Sequence, residues 1–403
     1  MSQKYPGGII NKTAPVTVGP VDGEGGSAPG VWTLDQALAL QKQGLWPKPL
    51  IVGELYSWGA NSFGQLGINA AYNRSSPVQV GALTTWSQIA GGYNFSLSIK
   101  TNGTLWSWGH NYHGQLGQNN TTYQSSPVQV GALTSWSQIA GGNLHSLAVK
   151  TDGTLWSWGR NNHGQLGRNN VVSYSSPVQV GALTTWSKIA SGRYFSVAIK
   201  TDGALWSWGQ NDRGQLGLND TTYRSSPVQV GALTTWSTIA TGRFHCIAIK
   251  TDGTLWTWGL NAFGELGLND TTYRSSPVQV GALTTWSQIA GGGAVSVATK
   301  TDGTMWVWGY NTFGQLGLND TANRSSPVQV GALTTWSKVA GGSYHCLAIK
   351  TDGTLWSWGR NNNGRLGLND TTNRSSPVQV GVLNTWSRLP KMPTALHSLA
   401  IKS

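Results

Sequence analysis

From Ile51 onward the chain alternates short apolar runs with glycine-centred turns, and the whole pattern returns every 50 residues, seven times over. Four segments of each unit read as strands. Strand A is Trp-Ser-x-Ile-Ala, as at Trp186 to Ala190, and strand B is Ser-Leu-Ala-Val-Lys, as at Ser146 to Lys150. Strand C is Leu-Trp-Ser-Trp-Gly, as at Leu155 to Gly159, and strand D is Pro-Val-Gln-Val, as at Pro177 to Val180. B and C are joined through Asp152-Gly153, the strongest short signal for a hairpin. No helical apolar period occurs after residue 51.

A period near 50 residues points to stacked units that cannot bury their apolar faces alone. Four short strands per unit, seven times, predict an all-β, seven-bladed β-propeller with four-stranded blades. The first unit opens on strand C (Leu55 to Gly59), and the chain finishes on A and B (Thr385 to Leu389, His397 to Lys402). The last blade therefore takes two strands from each end of the chain, which removes the open sheet edge of a linear array. The segment Trp386 to Lys402 is two residues longer than Trp336 to Lys350 and holds Pro390 and Pro393.

Residues 1–50 lack the repeat and differ in character from the rest of the chain. Residues 1–30 are rich in Gly, Pro, Val and Thr without period and read as an arm. Residues 33–43 then read as one short helix, with Thr33 as N-cap, Gln36 completing the capping box and Gly44 as the C-terminal stop. The expected organisation is a docking arm over 1–50, using Trp32, Leu34, Leu38 and Trp46, followed by the propeller over 51–403. The alternative reading of the same helix is a lid that plugs the propeller.

Near-identical units make their differences informative. Variation gathers in the connections A to B and C to D, whereas B to C (Thr-Asp-Gly) and D to A (Gly-Ala-Leu-Thr-Thr) hardly change. In an up-and-down blade the first pair of connections emerges at one end and the second pair at the other, so one face is diversified and the other uniform. Twelve of the 13 arginines fall in the variable connections, against six acids there, which makes that end basic. Candidate contact residues are Tyr93, His110, Tyr112, Arg160, Arg193, Arg213, Arg243, Tyr310 and Arg360. Arginine forks suit anionic groups and the aromatics suit stacking. The recurring arginine of Arg-Ser-Ser-Pro has a second reading, as a brace to the Asp of Leu-Asn-Asp in its own loop.

Composition adds exclusions. With 54 Gly, 22 Trp and 10% charged residues, the core is supplied by aromatics, and the placement of the net charge of +12 matters more than its size. Cys246 and Cys346 share one strand B position two blades apart, too far to bridge, and read as buried thiols. His145, His245, His345 and His397 share one repeat position with Phe95, Phe195 and Val295, so the position is structural. No nucleophile triad, metal-ligand spacing or phosphate loop stands out, so neither catalysis, a metal nor a cofactor is expected. No apolar run is long enough to span a bilayer, so membrane insertion is not expected either.

The run Ile-Ala-Gly-Gly-x-x-His-Ser-Leu-Ala-Ile-Lys-Thr-Asp-Gly-Thr-Leu-Trp-Ser-Trp-Gly-x-Asn-x-x-Gly-Gln-Leu-Gly resembles the repeat of the regulator of chromosome condensation family, over residues 51–403. The resemblance implies a seven-bladed propeller and a binding function, but no single partner. Gly30-Val-Trp-Thr-Leu-Asp-Gln with Gly44-Leu-Trp-Pro47 resembles a short element of virion proteins from marine tailed phages. The leading expectation is thus a virion protein that docks to other virion proteins through its arm and meets a host-surface glycan or protein with its variable basic face. The alternatives are a secreted or cytoplasmic protein-binding or inhibitory propeller and an exchange-factor or chromatin-type propeller. Uniform units, with no inserted wedge, disfavour the last. The positive charge leaves nucleic acid open without a motif to favour it, and a homo-oligomer is compatible with these features.

Overall fold

The computed structural model describes residues 53–403; the expected helix over 33–43 and the docking residues Trp32, Leu34, Leu38 and Trp46 lie outside them. Each predicted strand forms. Strand A of the first complete blade is Trp86–Gly91, B is Phe95–Lys100, C is Leu105–Gly109 and D is Gln124–Gln129, and the same quartet recurs around the ring. Seven four-stranded antiparallel sheets result, each in the order A-B-C-D. The all-β, seven-bladed propeller is what the periodicity predicted.

The closing blade has the order Arg74–Gln79, Glu54–Gly59, His397–Lys402, Trp386–Arg388, which is two strands from each end of the described chain. Glu54 to Gly59 pairs residue by residue with Lys402 to His397, so the seam is a full ladder. Its strand A is the exception in length. It stops after Arg388, and the chain then passes through Leu389 to Ala395, where Pro390 and Pro393 remove two backbone donors that a ladder would need.

Blades are glued by tryptophan. Trp58, Trp108, Trp158, Trp208, Trp258, Trp308 and Trp358 of the C strands are fully buried between blades. Each indole Nε1–H donates to a backbone carbonyl of the preceding blade, as Trp158 to Gln115 O at 2.9 Å and Trp208 to Gln165 O at 2.9 Å. The glycine of Gly-Gln-Leu-Gly permits this approach. At Gly167, with φ at +69°, an added Cβ would lie 2.8 Å from the Trp208 Nε1. Strand A tryptophans stack edgewise on the C-strand pair, as Trp136 on Trp156 and Trp158, and the Lys150 ammonium lies 3.7 Å from the Trp156 ring centroid. The core is therefore a ring of blade-to-blade seams.

Strand A is innermost. The A strands of neighbouring blades face one another around a central channel, and a cavity of about 220 Å³ there is lined by A-strand residues and by Leu389 to Pro393.

Candidate functional site

The A-to-B and C-to-D connections do share one end. The Arg160 N–H donates to Leu144 O, tying a C-to-D loop to the A-to-B loop of its own blade. A-to-B loops also reach the next blade, as Asn143 N donating to Arg193 O and Arg193 N to Arg243 O. The opposite end is tied in the same manner by Thr101 N to Thr85 O.

The candidate residues sort into groups. Arg160 and Arg193 lie 5.3 and 4.8 Å over the Tyr194 ring, and Arg193 and Arg243 each lie 5.4 Å over Phe244. Arg160, Tyr194, Arg193, Phe244 and Arg243 therefore form one continuous row of half-buried side chains across three blades. A second row runs from Arg360, 4.7 Å over Phe313, through Tyr310 to Phe263. Tyr112 is 67% exposed and meets His113, while Tyr93 stands apart from both rows. His110 is tied down instead: it packs on Phe63 and Tyr123, and its Nδ1 is 2.7 Å from the Gln115 amide. Arg213 pairs loosely with Asp212 at 3.7 Å and is exposed.

Tyr194, Phe244, Phe263 and Phe313 carry these rows and are absent from the candidates named by sequence. The signal for Tyr194 and Phe244 was the middle position of the A-to-B triplet, which is aromatic in Arg193-Tyr-Phe195 and Arg243-Phe-His245; Phe263 and Phe313 share one position of the C-to-D connection, four residues after the strand C glycine.

Of the two readings of the recurring arginine, the brace holds in four blades. Arg224, Arg274, Arg324 and Arg374 each meet the Asp four residues earlier at 2.5 Å, and each also donates to backbone carbonyls of the loop. The pairing uses Asp220, Asp270, Asp320 and Asp370, and Asp212 is taken by Arg213. The sixth acid, Glu265, is fully buried, and burial raises its pKa. Among the described residues, no carboxylate on this face is thus left to neutralise Arg160, Arg193, Arg243 and Arg360. Arg365 is a different case: it stands where five of the other loops carry Gln and one carries Glu265, is 2% exposed, and burial followed by nearby Arg360 lowers its pKa to about 10.

The histidine row is structural, and its chemistry is linked to the two cysteines. The Ser196 hydroxyl donates to Gln165 O, so toward His145 Nε2, at 3.1 Å, it can only accept. The same holds for His245 with Ser296, His345 with Ser398 and His397 with Ser96. Each ring is therefore the Nε2–H tautomer, with its buried Nδ1 unpartnered. At two of the three positions without histidine, Phe195 and Val295, the next blade carries Cys246 or Cys346 in place of serine, in the same apolar cluster, whereas the blade after Phe95 keeps Ser146. The thiol stands where there is no N–H to accept, and burial pushes the Cys346 pKa up to about 12. Among the described residues no group of three His, Cys, Asp or Glu is placed to hold a metal ion.

Comparison with known proteins places this geometry. The crystal structure of human WBSCR16 superposes with a TM-score of 0.77 at 23% identity, covering 87% of this chain and 99% of that one. Yeast RCC1 (Prp20), solved bound to Kap60, gives a TM-score of 0.77 at 20% identity over 87% and 88% of the two chains. Prp20p from Saccharomyces cerevisiae gives 0.76 at 21% identity over 87% and 91%. At such identities these structures speak for the fold. No curated protein matches the chain by sequence. The model of the RCC1-like domain matches residues 50–280 and, overlapping them, 138–392, which is nearly the whole propeller. By that match the chain belongs to the RCC1-like domain family.

Proposed function

We propose that the protein is a binding propeller that grips a partner protein with its A-to-B and C-to-D face, and that the partner presents acidic side chains. The observation that carries this is the row Arg160, Tyr194, Arg193, Phe244, Arg243. It places three guanidinium groups on aromatic rings, in one line, with no carboxylate among the described residues to neutralise them. Stacked guanidinium groups lose little freedom on binding, and aromatic and arginine side chains are the residues that dominate protein interfaces. Seven differently tipped loops also allow weak contacts to add. Protein partners have precedent on this fold, since Prp20 was solved bound to Kap60 and is described with its binding to Gsp1p and histones.

The virion reading rests on residues 30–47, outside the described residues, and neither it nor a host-surface glycan as the ligand of the basic face draws support from the family match or from the similar structures. Non-catalytic binding is the reading the propeller supports.

The test is crosslinking capture of partners from the source cells with wild type and two variants. Arg160, Arg193, Arg243 and Arg360 replaced together by Ala should remove the captured partner, and raised salt should remove part of it through screening. Asp152→Asn with Asp252→Asn on the opposite face should leave capture intact. Loss of capture with the second variant and not the first would move the binding face to the uniform end.

A further inference from the structure

The central channel is not symmetric, and its departures from symmetry converge. In strand A the third residue is Gln88, Gln138 and Gln288 in three blades, but Lys188 in the blade that begins at Trp186. Like Gln88, Gln138, Gln288 and Lys338 at the same position, Lys188 donates to a carbonyl of the next blade, here that of Ser237, but it does so with a charged group that lines the cavity. The sixth residue is glycine at 91, 141, 291 and 341, and it is tightly packed: a Cβ on Gly141 would lie 2.8 Å from Gly92 N. Only two adjacent blades carry a hydroxyl there, Ser191 and Thr241. Ser191 is 2% exposed, lines the cavity, and its Oγ has no hydrogen-bond partner.

From the opposite side comes Lys391. The interrupted strand A of the closing blade sets its backbone against Gly91, whose N–H donates to Lys391 O at 3.1 Å. Its side chain then crosses the channel to the carbonyl of Ile189, 2.9 Å away, in the same blade as Lys188 and Ser191. Thr238 and Thr241 complete the wall, and no acidic residue among those described lines the cavity. Two ammonium groups and hydroxyls thus face about 220 Å³ of space with no carboxylate between them. Such a set lacks one component, a compact anion that accepts from all of them.

We propose that the channel binds a small divalent oxyanion of the phosphate and sulfate class between Lys188 and Lys391, with the Ser191 and Thr241 hydroxyls as further donors. The site is independent of the arginine face. Protein surrounds the Lys391 ammonium although channel water reaches it; this desolvation, and then the like charge of Lys188, lower its pKa to about 8. Lys338 and Arg388, the other cations of the strand A row, stand on the wall further round, and burial and then Arg388 lower the Lys338 pKa. A bound dianion reverses the repulsion at Lys391, so binding above neutral pH takes up protons, and affinity falls as pH rises through about 8.

The experiment is calorimetric titration of the full chain with sodium phosphate and with sodium sulfate, against chloride at equal ionic strength. Sister blades supply substitutions the fold already accommodates: Lys188→Gln has Gln88, Gln138 and Gln288 as precedent, and Ser191→Gly has Gly91 and Gly141. With Lys391→Met these complete the set. Wild type should bind both oxyanions and not chloride. Lys188→Gln and Lys391→Met should each weaken binding by about tenfold or more, and Ser191→Gly by about threefold, each 1.4 kcal/mol being a factor of ten. Thermal midpoints without anion report whether each variant is folded. Sulfate, a dianion throughout, isolates Lys391: its affinity should drop between pH 7 and pH 9 in wild type and stay flat in Lys391→Met. Absence of oxyanion binding, equal affinity in folded Lys188→Gln, or a pH dependence that survives Lys391→Met would each overturn the proposal.

Discussion

At the residue scale, the four buried histidines set how the fold responds to acid. His145, His245 and His397 are held neutral, with pKa lowered to about 3 by burial, and His345 is lowered by burial and then by Arg365. An unfolded histidine titrates near 6.5, so between about 6.5 and about 3 the unfolded chain binds protons that the fold refuses. Stability is thus unaffected by these groups above about 6.5 and falls as pH drops below it, by at most roughly 1.4 kcal/mol per pH unit for each histidine. The chain also contains the remedy, since the Phe195 and Cys246 pair replaces a histidine and serine pair at one seam. His245→Phe with Ser296→Cys should therefore leave the urea midpoint at pH 7.5 close to wild type and flatten its decline between pH 6.5 and 4. Parallel pH curves for the two proteins would mean that the acid response comes from elsewhere.

At the element scale, each blade seam repeats one device, an indole clamped between glycine backbone and a carbonyl of the preceding blade. Trp208→Phe keeps most of the ring and loses the donor to Gln165 O, for an expected cost of about 1 to 3 kcal/mol. Trp208→Ala should cost about 3 to 5 kcal/mol through the cavity it opens, read as a shift in denaturant midpoint at unchanged slope. Elements at this scale were legible in the sequence because strand, turn and tryptophan positions repeat with a fixed period, and each of the predicted strands appears. The arginine face was legible in part. Repeat differences pointed to Arg160, Arg193 and Arg243, but which ring each would cover depends on contacts between blades, so Tyr194 and Phe244 went unnamed. His110 stood among the candidate contacts and Arg365 among the twelve arginines of the basic end, because burial inside a loop leaves no periodic trace. The channel residues Lys188, Ser191 and Lys391 come together only once strand A is known to be innermost.

At the scale of the whole molecule, the ring is only as sound as its closing blade. That blade joins Glu54–Gly59 to His397–Lys402 through six paired residues, and Lys402 reinforces the seam by meeting the Glu54 carboxylate at 3.0 Å, which lowers the Glu54 pKa through that hydrogen bond first. Deleting Met392 to Ser403 removes the whole B strand of the blade. Glu54–Gly59 and Trp386–Arg388 then become unpaired edges, and Trp58 and Trp386, buried in one cluster with Ala400, lose a wall. A short deletion at the end of an array would remove one nearest-neighbour term. Here it opens the ring on both sides at once, and two strand edges offer themselves to other copies of the chain. The truncated chain should aggregate on refolding, with tryptophan emission shifted to the red, whereas full-length protein refolds as a soluble species. Adding residues 392–403 back as a peptide during refolding should restore part of the soluble yield, because the missing strand supplies the ladder in trans. A truncated chain that stays soluble with wild-type emission would show that seven seams are more than the ring needs.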